Sequence, residues 1–168
     1  FTLTGTAAEI AAAATAQEHG TLALAADFGA TVDAGSVAAT DLTTIVGQTS
    51  ATIVATAATA ITGTASAFVA AINHAHVNHD DNFTVTLTDN STATASDLKA
   101  INTATSRIIT ATGVTAITGS ISDINDVLAA ETSQGNAGQQ IDLDTDFTVT
   151  VTDTGSVAAT TLTTLDSG

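Results

Sequence analysis

The sequence predicts an α/β fold, a repeat solenoid of strand–helix rungs with a parallel sheet along one side. Three observations carry that expectation. Segments recur at matched offsets, alternating apolar/Thr runs give way to short helical patterns, and the apolar residues are small. Ala and Thr make up about two-fifths of the 168 residues, five Phe are the largest side chains, and Cys, Met, Pro, Trp and Tyr are absent. Ala, Val, Ile and Leu must therefore do most of the packing. Such side chains suit thin layers stacked at close spacing better than one thick core.

Recurrence sets the order of the elements. Phe28, Phe83 and Phe147 each follow Asp or Asn, and each has an apolar residue six positions earlier (Leu22, Val77, Ile141). Leu98 and Leu162 lie fifteen residues beyond their Phe, and Leu42 fourteen beyond Phe28. The Gly of Ile-Thr-Gly then comes eighteen residues after Ile45 (Gly63) and after Ile101 (Gly119). A half-period is visible too, since Ile53 precedes Phe68, and Ile109 precedes Ile124, by the same fifteen. These offsets divide the chain into a half repeat at 1–27, full repeats at 28–82 and 83–146, and a half repeat at 147–168. Each full unit reads as two strand–helix rungs.

Local chemistry supports each element. Thr6-x-x-Glu9 has the form of a capping box and starts the first helix, and Ser120-x-x-Asp123 starts a later one. In the run from Phe83 to Thr88, Phe83, Val85 and Leu87 fall on one strand face and the threonines on the other. Thr and Val are β-branched and favour extended backbone. Segments 96–102 and 122–130 place Leu98/Ile101 and Ile124/Leu128 at helical spacing. Helices this short are marginal alone and need a sheet behind them. Strands alternating with helices imply parallel pairing.

The run from Asp146 to Leu165, with its partner at 27–45, resembles the Thr/Ala/Asp-rich tandem repeats of very large secreted bacterial proteins, notably cyanobacterial ones. The segment Ala60-Ile61-Thr62-Gly63-Thr64-Ala65 is similar to the companion half of those repeats. The likeness covers nearly the whole chain and departs at 70–82 and 131–146, which read as variable inserts. The resemblance implies a cell-surface, matrix or filament role and supplies no catalytic residues.

Charge narrows the partners. Seventeen Asp and Glu against Lys99 and Arg107 give a formal net charge of −15. Nucleic acid and anionic membranes are bound by clustered Lys and Arg, so both are excluded as partners. No stretch approaches the ~20 consecutive apolar residues of a membrane span.

Candidate chemistry is sparse. His74, His76 and His79 lie close in sequence beside Asp80 and Asp81, a composition that suits a zinc, copper or nickel site. Asp142, Asp144 and Asp146 have the 1,3,5 spacing of a calcium loop, but Phe147 stands where an EF-hand needs Gly. A looser calcium contact is the alternative there, with solvated carboxylates as the simpler explanation. The Thr-x-Thr runs at 84–88 and 148–152 suggest an ice-binding array, which the copy at 28–33 (Gly29, Thr31, Asp33) is expected to interrupt. Asn82-Phe83-Thr84 and Asn90-Ser91-Thr92 fit N-glycan acceptors, so glycans join the candidate partners. Neither a Gly-x-Ser-x-Gly elbow nor a phosphate-binding Gly loop ending in Lys occurs, and no enzyme is expected.

The expected function is structural: a non-catalytic, cofactor-free building block of an extracellular filament, sheath or surface layer. The units as divided begin and end in mid-repeat, which points to head-to-tail association of copies. The expected assembly interface comprises Phe1, Leu3, Ile10, Phe147, Val149, Val151, Leu162 and Leu165. A calcium-dependent adhesin spacer or ligand-binding segment is the alternative, and an ice-binding Thr array a minor one.

Overall fold

A computed structural model describes residues 1–131 and 141–157. These residues form a mixed α/β fold with five helices and three sheets, in which every strand pair is parallel. The chain opens with β1 (Thr2–Gly5), α1 (Ala7–Glu18), β2 (Gly29–Val32), β3 (Gly35–Ala38) and α2 (Ala39–Val46). Next come β4 (Ile53–Val54), β5 (Ala58–Gly63), α3 (Ala65–Ile72), β6 (Val77–Asn78), β7 (Thr84–Leu87) and β8 (Thr92–Thr94). It continues through α4 (Ala95–Ala104), β9 (Ile109–Ala111), β10 (Ala116–Gly119), α5 (Ile121–Ala129), β11 (Ile141–Leu143) and β12 (Thr148–Val151).

The expected single sheet is three: β1-β2-β4-β6, β11-β9-β7-β5-β3, and β12-β10-β8. The correction has a local cause. The run after Phe28 is broken between β2 and β3 by Asp33 and Ala34, and Gly35 at φ +140° turns the chain so that β3 joins a different sheet. Between β7 and β8 the segment Thr88-Asp89-Asn90-Ser91 also separates strands of two sheets, without a positive-φ Gly. Across the sheets, paired residues lie 23 to 27 apart in sequence for most strand pairs and 32 apart where β11 and β12 join. Val85 pairs with Ile61 on one side and Ile109 on the other, 24 residues each way. Ile109 pairs with Ile141, and Ile117 with Val149, at a separation of 32. Helices pack in chain order, α1 on α2, α2 on α3, α3 on α4 and α4 on α5.

Helix starts follow the sequence closely. The Thr6 hydroxyl accepts from the Glu9 N–H at 3.3 Å while Glu9 Oε2 accepts from the Thr6 N–H at 2.9 Å, completing the capping box. The Thr64, Thr94 and Ser120 hydroxyls each accept from the N–H three residues on and so cap α3, α4 and α5, without the reciprocal bond of the box. Two helices receive a second cap from far along the chain. Asp89 Oδ2 accepts from the Ala65 N–H, and Asp153 Oδ2 from the Ile121 N–H, both at 2.7 Å. Each carboxylate satisfies an orphan donor of a helix more than 20 residues earlier and places negative charge at its positive end.

The inward faces join into one apolar cluster running from Ala7 to Leu143. Phe83, Val85 and Leu87 are buried and Thr84 and Thr86 exposed, as the alternation requires. Small residues set the layer spacing. A Cβ on Gly63 would sit 3.0 Å from the Ala39 Cβ, and one on Gly119 would sit 2.9 Å from the Ala95 Cβ. The Ile-Thr-Gly corner therefore marks the place where a strand end lies against the first residue of the preceding helix.

Buried hydroxyls close the corners after α2 and α4. Thr49 donates to the Phe28 carbonyl and Thr105 to the Phe83 carbonyl, while the Ala51 and Arg107 N–H groups donate back to those hydroxyls at 3.1 Å. Thr105→Val keeps the shape and leaves these partners unsatisfied, at a cost of about 1–3 kcal/mol. Equilibrium urea unfolding will show the loss; a change within ±0.5 kcal/mol would show the bond to be dispensable.

Candidate assembly surface

The three sheets of the described residues have six edge strands, of which β1 and β12 carry the expected interface residues. Among the described residues β1 (Thr-Leu-Thr-Gly) pairs only with β2, and β12 (Thr-Val-Thr-Val) only with β10. Neither carries a charge or Pro, the devices that usually blunt an edge. The Phe1 and Gly5 carbonyls accept from the Gly29 and Asp33 N–H groups at 2.9 and 2.8 Å. Strand alternation then turns the polar backbone groups of Thr2 and Thr4 toward the open side. Beside β1, helix α1 packs on α2, and its Ala8 and Ala12, four residues apart, are exposed near the exposed Glu9.

The expected interface residues sort by position. Phe1 is 68 % exposed and stacks on Phe28 with ring centroids 6.5 Å apart. Leu3 is half-buried in β1, and Phe147, Val149 and Val151 are half-buried at the β12 edge. Ile10 is corrected: at 2 % exposure it is already packed in the chain's own core and offers a second copy nothing. Leu162 and Leu165 lie outside the described residues.

Geometry also sorts the candidate ligand groups. The His74 and His76 rings meet edge to face with centroids 5.1 Å apart. His79 goes elsewhere, its ring 5.7 Å from Phe83 and its Nδ1 2.8 Å from the Asp80 carbonyl. It lines a groove of about 490 Å³ between α3 and α4 with Ile72, Asn73, Lys99 and Thr103. Asp144 accepts from the Asp146 N–H at 2.8 Å, a local turn, while Asp142 sits in β11 opposite Thr110. Among the described residues no three His or carboxylate side chains converge as metal ligands.

The threonines, in contrast, do line up. Register places Thr62, Thr86 and Thr110 side by side on successive strands, and likewise Thr94, Thr118 and Thr150. These rows are not the expected one: the runs at 84–88, 148–152 and 28–33 lie in three different sheets, and Thr31 stands between Thr4 and Val54. The first row ends at Ala38 on one side and Asp142 on the other.

Charge is used locally. The Lys99 ammonium bridges α4 to α5, 2.7 Å from Asp126 and 2.9 Å from Asp123, and those carboxylates raise it above its ordinary range. Asp123 is lowered from 3.8, first by Lys99 and then by the Ser120 hydroxyl. Glu9 is lowered from 4.5 by the Thr6 N–H and then the Thr6 hydroxyl. Both carboxylates bind protons less readily folded than unfolded, so their stabilisation is complete above pH 4.5 and is lost as pH falls through the lowered values. The melting-temperature gap between the wild type and a Glu9→Gln/Asp123→Asn variant should be open at pH 6 and close on acidification below 4. A pH-independent gap would contradict the assignment. Exposure keeps the gap small.

Among the described residues no helix is long and apolar enough to cross a membrane. Comparison of the chain with family models, with curated proteins and with solved structures found no match.

Proposed function

We propose that the chain is a non-catalytic structural module, a strand–helix solenoid that associates head to tail with copies of itself into an extracellular filament, sheath or surface layer. One observation carries the reading: paired strands and packed helices follow one another in chain order, and the first strand, which carries no charge, leaves one edge unpaired among the described residues. Three correspondences support the repeat within it. Leu3-Thr4-Gly5, Ile61-Thr62-Gly63 and Ile117-Thr118-Gly119 each pair in parallel with the strand that follows Phe28, Phe83 or Phe147. Gly5, Gly63 and Gly119 fall opposite Val32, Leu87 and Val151, the last residue of the partner strand each time.

A stack whose end layers match the faces of its inner layers makes heterologous contacts, which do not close and so give fibres. The acidic surface keeps such fibres apart laterally, since like-charged flanks repel. The Thr rows are three residues long, and the first is ended by Ala38 and Asp142, a small patch for an ice lattice, so assembly is the better-supported use of the fold. Sedimentation velocity tests the proposal. Between 1 and 100 µM, roughly, mass should rise steadily with concentration and electron microscopy should show filaments of uniform width. A single monomeric boundary throughout would remove it.

A further inference from the structure

The four-stranded sheet corresponds strand for strand to four members of the five-stranded one. β5 and β1 share the apolar-Thr-Gly sequence, and their glycines have φ of +154° and +151°. The Gly63 carbonyl accepts from the Thr88 N–H at 2.9 Å, and the Gly5 carbonyl from the Asp33 N–H at 2.8 Å. Beyond them, β7, β9 and β11 are joined through Val85, Ile109 and Ile141, as β2, β4 and β6 are through Ala30, Ile53 and Val77. The member without a counterpart is β3, where Ser36 lies opposite Ala60 and Val37 opposite Ile61.

A second segment of the chain has the sequence of β3. Gly155-Ser156-Val157 copies Gly35-Ser36-Val37, and both follow an Asp two residues before the Gly. The glycines adopt φ of +132° and +140°. The segment pairs with no strand among the described residues; Ser156 is exposed and Val157 half-buried, whereas Val37 is buried.

We infer that Gly155–Val157 of one copy adds as a fifth, parallel strand to the open edge of β1 in the next, with Ser156 opposite Thr2 and Val157 opposite Leu3. This deepens the head-to-tail reading and rests on it. The pairing satisfies the outward backbone groups of Thr2 and Thr4, as β-strand addition does in peptide recognition. It also covers Leu3 and Val157 as the internal pair covers Ile61 and Val37.

Because the chain has no Cys, engineered thiols report the register directly. Cα atoms on neighbouring strands are about 4.8 Å apart, within disulfide reach. Moving one partner two residues along the strand takes the separation to about 8 Å, beyond it. Thr2 and Ser156 are both exposed, so T2C/S156C leaves the core intact. Mild oxidation of the full chain at assembling concentration should convert most T2C/S156C into a ladder of covalent multimers that a reductant collapses. T4C/S156C should stay largely monomeric under the same conditions. No T2C/S156C ladder, or equal ladders from both variants, with sedimentation still showing assembly, would overturn this interface and leave the filament reading standing. T2C/S156C that stays monomeric in the centrifuge, while wild type also does, would overturn both. A fast-migrating, internally closed monomer would show the two segments meeting within one chain and would equally overturn the inference.

Discussion

Phe83→Ala should cost about 3–5 kcal/mol, a large share of the 5–15 kcal/mol typical of a whole domain. Phe83 is fully buried with its ring 5.9 Å from Phe68 and 5.7 Å from His79, so it ties the middle of α3 to the start of β7. Its carbonyl is also where the Thr105 hydroxyl closes the next corner. Truncation leaves a cavity between layers built largely of Ala, Val and Ile, none of which has side chain enough to fill it. Chemical unfolding followed by circular dichroism measures the loss. Phe1→Ala is the matched control, because Phe1 is mostly exposed, and should cost under about 1 kcal/mol. Near-equal effects of the two substitutions would contradict the placement of Phe83.

Gly113→Ala should cost at or above the upper end of the ~1–3 kcal/mol usual for overpacking, for one added methyl group. A Cβ there would lie 2.4 Å from the Asp89 carbonyl oxygen, which is backbone and cannot swing aside. The two corners are stitched together at that point, since the Thr115 and Ala116 N–H groups both donate to the Ser91 carbonyl at 2.8 and 2.9 Å. Pushing them apart also displaces Asp89 from the N-terminus of α3. Gly47→Ala is the contrasting case: Gly47 has helical backbone, and the nearest atom to an added Cβ is 3.5 Å away. It should be neutral or slightly stabilising, through the smaller entropy of the unfolded chain. A Gly113→Ala protein as stable as wild type would show that the corners are not in contact.

Much of this fold is legible in the sequence because its determinants are local. Thr6 and Glu9, or Ser120 and Asp123, are three residues apart, and a capping motif needs nothing else to be recognised. The alternation in Phe83–Leu87 fixes its buried face without knowledge of its neighbours. What was hidden is non-local. One strand-like run reads as one strand, and only the turn at Gly35 divides it between two sheets. Asp89 and Asp153 read as solvated acids, because the helix ends they cap lie 24 and 32 residues earlier. Thr49 and Thr105 carry no local sign of burial.

The candidate sites show the same division. Three histidines within six residues suggest a ligand cluster, yet the short path from β6 to β7 turns His79 toward Phe83 and away from the His74–His76 pair. Ile10 looks like a terminal apolar residue open to a partner, but helix periodicity points it inward. Leu3 and the β12 edge are legible as interface candidates because the repeat offsets place them in the first and last half-units. The register that would join Leu3 to Val157 of another copy emerges only when the internal pair β3·β5 is known.

Fibre diffraction from oriented, assembled material tests the central idea most directly. Strands stacked layer upon layer along the long axis should give a meridional reflection near 4.8 Å, the spacing of paired strands. A 4.8 Å reflection confined to the equator would place the strands along the fibre, and its absence would mean that copies do not continue one another's layers; either pattern contradicts head-to-tail stacking.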